Sequence, residues 1–144
     1  MSGSAKASQQ VSAPDRHRAM QAVTRTRRAM DPGLRPTEDR GFLVAALSGR
    51  LDGTRAPAVR EQLLRLLRPA ASRLVLDLTL VSDIDAAGLA VLVGTERRAR
   101  LLGGSLRLAA AGPAVSMTVR AAGLDRLLSS FPTVQAAVSS PARA

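Results

Sequence analysis

Three carboxylates crowd one short stretch of this chain, at Asp77, Asp83 and Asp85. Closely spaced oxygen ligands are what a hard divalent cation takes. No further acid follows at ligand spacing, however, and each of the three has a plainer use. Asp85 precedes a helical pattern and is placed to cap it, Asp77 can pair with backbone or an arginine, and Asp83 can be solvated. The plainer reading is preferred, so no metal and no cofactor is expected. General acid–base chemistry fares no better. The single histidine, His17, lies in a polar leader with no fixed partner to orient it. There is no cysteine for thiolate or disulfide chemistry. No serine sits in a nucleophile elbow, and no Walker loop or dinucleotide-binding turn is present. Gly103-Gly104 reads as a helix terminator rather than a phosphate loop. The residues argue against an enzyme: no catalytic residue and no small-molecule substrate can be assigned.

The elements around those acids are readable. Leu74, Val75, Leu76, Leu78 and Leu80 form a near-continuous apolar run broken by Asp77, which suits a strand covered on both faces. After Asp85, the residues Leu89, Leu92, Val93, Glu96 and Ala99 recur at helical spacing, and Arg97, Arg98 and Arg100 fall in the last turns, where cations oppose the negative end of the helix dipole. Phe42 to Leu47 reads as a strand. Thr54 is placed to cap a helix over Ala56 to Leu67, with Pro57 in its first turn, Pro69 stopping it, and an apolar stripe of Val59, Leu63, Leu66 and Leu67. Ser105 to Ala109 reads as another strand, Pro113 opens a short helix that Gly123 closes, and Val134 to Val138 is a last short helix. Gly33 to Glu38 would supply a first strand, which Pro36 confines to a sheet edge. This alternation implies an α/β fold: a small mixed β-sheet with helices packed mainly on one face.

The chain of 144 residues, 46% of them hydrophobic, is one domain by length with enough apolar content for a core. Residues 1–32, rich in Ser, Ala, Gln and Arg, read as a disordered basic leader, 33–139 as the folded domain, and 140–144 as a flexible tail. No apolar run has signal-peptide or transmembrane length, so a cytoplasmic protein without a membrane span is expected.

The strand, turn and helix from Leu74 to Val93 resemble the STAS domain as found in bacterial anti-sigma factor antagonists. In that family a buried strand leads to an Asp-Ser-Ser-Gly-Leu or Asp-Ser-Thr-Gly-Leu turn. Here Asp85, Gly88 and Leu89 match it, with Ala86 and Ala87 at the two hydroxyl positions. Gly49-Arg50-Leu51-Asp52 resembles the loop after the family's main amino-terminal strand. Ala122 to Leu128 resembles its late helix–turn segment, and Phe131 to Ala137 its closing helix. The four motifs stand in order across Gly33 to Ser139.

The resemblance implies a regulatory protein that binds an anti-sigma factor of the ATPase-fold serine kinase type and so releases a sigma factor for transcription. It places partner contacts on Asp52, Gly53, Thr54, Asp85, Ala86, Ala87, Gly88 and Leu89. In the family the first hydroxyl of the turn is the phospho-acceptor, and phosphorylation is the off state. Ala86 has no hydroxyl, so this member is expected not to be switched there. Ser82 lies before the turn and is a poor substitute acceptor on register grounds; Ser48 and Thr54 flank the Gly49–Asp52 loop, with only proximity to recommend them. STAS domains also serve as accessory subunits of lipid-transport or larger signalling complexes, and a switchless member fits that class as well. Oligomeric state is not readable.

Charge is the feature least like the family. Lys and Arg number 21 against 11 Asp and Glu, for a net charge of +10. Such a balance can signal nucleic acid or an anionic membrane surface. The chain has no Tyr or Trp and only Phe42 and Phe131 as aromatics, so stacking platforms are missing. Its arginines are spread rather than gathered, apart from Arg25, Arg27 and Arg28 in the leader. Solvated helix faces are the preferred reading; a nucleic-acid or membrane-surface binder acting through the leader is the third class.

Overall fold

Residues 34–141 are described by the computed structural model; the leader with His17 and its arginine cluster lies outside the described residues. The chain order is β1 (Thr37–Asp39), β2 (Phe42–Leu51), α1 (Ala56–Leu66), β3 (Arg73–Ile84), α2 (Ala86–Leu101), β4 (Ser105–Ala109), α3 (Pro113–Ala121), β5 (Ser129–Phe131) and α4 (Val134–Ser139). The five strands form one sheet in the order β1-β2-β3-β4-β5. β1 pairs antiparallel to β2, and the remaining neighbours are parallel. The fold is therefore α/β with a mixed sheet.

Topology explains which face the helices take. From β2 to β5 each parallel strand is laid down beside the last, always in the same direction, and each step uses one helix. Right-handed crossovers then put α1, α2 and α3 on a single face. The packing agrees: Ala45, Leu47, Leu74, Leu76, Leu78, Leu106 and Leu108 of the sheet meet Val59 and Leu63 of α1, Leu89 and Leu92 of α2, and Val115 and Val119 of α3 in one core. α4 is not a crossover. It closes over the opposite face, where Ala137 and Val138 pack with Phe42, Val75 and Ala109. Among the described residues no helix is long and apolar enough to cross a membrane.

β3 departs from simple alternation, and the departure aims the site. Between the pairs Ala46↔Asp77 and Ser48↔Leu80, β2 advances two residues while β3 advances three; a second extra residue falls between Gly49↔Val81 and Arg50↔Asp83. Each bulge shifts the side-chain phase by one. Leu78, Val81 and Ile84, three apart, therefore all face the same core. Asp77 supports the first bulge: its Oδ1 accepts from the Thr79 amide at 3.0 Å and from the Thr79 hydroxyl. The phase shift also turns Leu80 outward, so it is 63% exposed. The expectation of a strand covered on both faces through Leu80 holds only for its first half.

Two other expectations change, and one element is new. β2 runs on through Gly49, Arg50 and Leu51 rather than ending in a loop there, because the longer β3 continues to pair with it. Thr54 does not cap α1: the cap position is Arg55, with no side-chain cap bond. Asp52 organises that turn instead, its Oδ1 accepting from the Thr54 amide (3.1 Å), the Thr54 hydroxyl (2.7 Å) and the Arg55 amide (3.3 Å). Such an Asx-type turn is a common alternative to hydroxyl capping. The sequence carries no signal for β5, since Ser129-Ser130-Phe131 is too short to show a period.

Candidate functional site

The carboxyl ends of β2 and β3 lie side by side, with Leu51 paired to Ile84. In open parallel sheets this end is where loops converge and where binding sites form. Here β2 runs into the loop Asp52-Gly53-Thr54 and β3 into Asp85 and the start of α2.

Asp85 ties the two together. Its backbone is extended, with φ −113° and ψ −172°, as an N-cap requires. Oδ1 accepts from the Gly88 amide at 3.0 Å, capping α2 as expected. Oδ2 accepts from the Gly53 amide of the other loop at 3.1 Å. The Asp85 amide in turn donates to the Leu51 carbonyl at 3.3 Å. One carboxylate thus caps a helix and latches the neighbouring loop to it. A second clamp comes from Arg55, whose Nη1 donates to the Ser48 and Arg50 carbonyls. No single-sequence signal announces the Asp85 latch, because it joins residues 32 positions apart; the Arg55 clamp is local, but an arginine at that position does not by itself disclose it.

Gly88 is where the helix meets the sheet. A Cβ there would lie 2.3 Å from the Leu51 carbonyl oxygen, 2.6 Å from Ile84 Cγ1 and 3.0 Å from Leu51 Cγ. Only glycine lets α2 start this close to β2. Across the same gap, a Cβ on Gly53 would stand 3.9 Å from the Ala87 methyl.

The residues named from sequence are therefore brought together, but in two layers. Gly53, Thr54, Asp85 and Ala86 are exposed, and Asp52 and Ala87 are half-buried. Gly88 is buried and Leu89 is 9% exposed, its side chain in the core; both support the surface from beneath rather than line it. Ala86 is the first residue of α2 and presents a methyl group to solvent. Asp83, expected to be solvated, approaches Arg50 at 3.4 Å, with both side chains more than half exposed, so the pair adds little stability. Among the described residues no group of His, Cys, Asp or Glu is arranged to hold a metal ion.

The Asp52 carboxyl is held below its ordinary value of 3.8, first by the Thr54 hydroxyl; desolvation opposes this, and the amides of Arg55 and Thr54 and the charge of Arg50 add to the lowering. A depressed folded pKa makes the bonded carboxylate a stabilising group above the unfolded value, and that contribution is lost as pH falls through the folded value. Carbon-detected NMR titration should place the Asp52 midpoint below that of an unperturbed aspartate. Thr54→Val should move it upward by removing the largest cause. An unchanged midpoint would mean that the hydroxyl does not hold this carboxylate in solution.

The comparisons bear on the whole architecture. A solved anti-sigma factor antagonist from Mycobacterium paratuberculosis superposes with a TM-score of 0.66 at 26% identity, covering 74% of this chain and 90% of its own. A serine-to-glutamate variant of RsbS from Moorella thermoacetica gives 0.61 at 27% identity, covering 74% and 92%. A STAS domain protein from Planctomyces limnophilus gives 0.64 at 19% identity, covering 73% and 94%. No curated protein matches the chain in sequence. The family model of the STAS domain matches residues 34–137, which takes in every strand and helix from β1 to the body of α4, and the chain belongs to the STAS domain family.

Proposed function

We propose that this chain is a protein-binding regulator of the anti-sigma factor antagonist kind, which docks an anti-sigma factor of the ATPase-fold kinase type through the Asp52–Thr54 loop and the start of α2. The observation that carries the reading is the Asp85 latch. It makes two chain segments one preformed surface, so docking would cost little ordering entropy. The similarity to solved antagonists supports the kind of partner. On this reading the released sigma factor is the output, and the protein acts by binding rather than catalysis.

Ala86 gives the proposal its particular form. A phosphate at the first residue of α2 would place about two negative charges beside Asp85, at the centre of the docking surface. Alanine cannot carry it, so the surface stays in its binding state and control passes to abundance or another input. The chain, purified with its cognate anti-sigma factor, should hold that partner equally with and without ATP in a pull-down. Ala86→Ser should acquire phosphate and release the partner when ATP is added. Ala86→Glu should weaken binding roughly 10–100-fold, as a charge at an interface centre does. Stoichiometric phosphate on the unaltered chain, or recovery of transporter subunits in place of an anti-sigma factor, would overturn the reading in favour of a modified site or an accessory subunit.

A further inference from the structure

At the opposite pole of the sheet, where β3 begins, an open cleft of about 990 Å³ is lined by Arg73, Arg100, Arg107 and Arg126 against a single acid, Asp125. It is separated from the Asp85 surface by the 12 residues of β3, a span of roughly 35 Å. The charge in it is poorly balanced. Arg107 is 5% exposed, yet no carboxylate meets it among the described residues. Its guanidinium instead donates to the carbonyls of Ala137, Ser140 and Pro141, and lies 4.7 Å from the Phe42 ring centroid and 5.2 Å from that of Phe131. Arg73 approaches the same Phe42 ring at 4.2 Å. Burial, and then the charge of Arg73, pull the Arg107 guanidinium below its ordinary value.

Part of this has a structural use. A cation at the carboxyl end of α4 opposes that helix's dipole and occupies its last carbonyls. That accounts for Arg107. It leaves Arg73 and Arg126 without a counter-charge: neither makes an ion pair among the described residues, Arg73 having only its contact with the Phe42 ring, and both bring further positive charge to a site where a buried cation already lacks a counter-ion. Arg100 is different, because its Nε is taken by Glu96. Ser129 and Ser130 add hydroxyl donors to the same wall.

We propose that this cleft binds a small phosphate-bearing polyanion. Planar guanidinium forks match phosphate oxygens two at a time, and the volume suits a ligand larger than a single inorganic ion. A ligand there leaves the Asp85 surface clear, so the two sites can be filled together.

The test is calorimetric titration of the full chain with inorganic pyrophosphate at low ionic strength, with thermal unfolding followed in parallel. Saturable binding at one site and a raised midpoint are expected. The double variant Arg73→Gln, Arg126→Gln should bind at least roughly tenfold more weakly while still unfolding cooperatively, and ligand should no longer raise its midpoint as it does that of the parent. Ala86→Glu, at the far pole, should bind pyrophosphate like the parent. Absence of saturable binding would overturn the proposal. So would undiminished binding by the double variant, which would point to the basic leader. Retention of duplex DNA without pyrophosphate binding would assign the arginines to a nucleic-acid backbone and overturn it equally.

Discussion

Gly88→Ala is expected to destabilise the domain by about 2–4 kcal/mol, even though alanine is the better helix former by about 1 kcal/mol. The new Cβ would sit 2.3 Å from a backbone oxygen and 2.6 Å from a buried Ile84 carbon. Neither is the free end of a flexible side chain, so relief requires α2 to move away from β2. That movement would also stretch the Asp85 bonds to Gly88 and Gly53. Loss of stability and loss of the preformed docking surface should therefore appear together. Gly94, in the same helix, provides the control: a Cβ there meets nothing within 4 Å. Gly94→Ala should stabilise by about 0.5–1 kcal/mol. Urea unfolding of the two variants separates contact from propensity, and a Gly88→Ala protein as stable as Gly94→Ala would show that α2 does not start where it is placed here.

This contrast shows which parts of the fold the amino-acid order discloses. Gly88 was marked by its motif, and the helix after Asp85 by its period. Neither tells that the glycine faces a carbonyl from another strand. The same holds for the latch: Asp85 is recognisable as a cap from its neighbours, while its second oxygen serves Gly53, 32 positions away. Local signals, such as the run from Leu74 to Leu78, the stop at Gly103-Gly104 and the proline opening α3, gave the strands and helices nearly where they lie. What escaped was set by pairing between strands. The two bulges of β3 come from its register with β2, and they alone explain why Leu80 is exposed while Val81 and Ile84 are buried. β5 has no signal of its own and exists because β4 offers it an edge. For the candidate site, the family motif named residues that the fold brings to one end of the sheet. It did not divide them into an exposed layer, with Ala86 and Thr54, and a buried one, with Gly88 and Leu89.

The second large effect lies in a residue whose type conceals its use. Glu96 stands at helical spacing with Leu89, Leu92 and Ala99, and a charged residue there would ordinarily face water. It is 2% exposed. One carboxylate oxygen accepts from the Leu106 amide at 2.8 Å, and the other meets Arg100 Nε. The Leu106 amide lies near the start of β4, before β5 begins to pair with it, so Glu96 satisfies a buried backbone donor and joins α2 to its own following strand. Glu96→Ala removes the acceptor, leaves that amide without a partner and opens a cavity, at a combined cost of about 3–5 kcal/mol. Glu96→Gln keeps the shape and one carbonyl oxygen. That oxygen can still accept from Leu106, while Arg100, with 55% of its side chain exposed, can turn to solvent. The glutamine variant should therefore lose only about 1–2 kcal/mol. Denaturant unfolding of both proteins, with hydrogen exchange read at Leu106, checks the ordering. Equal losses would mean that the ion pair with Arg100 is the stabilising element; near-normal stability of the alanine variant would mean that neither bond is.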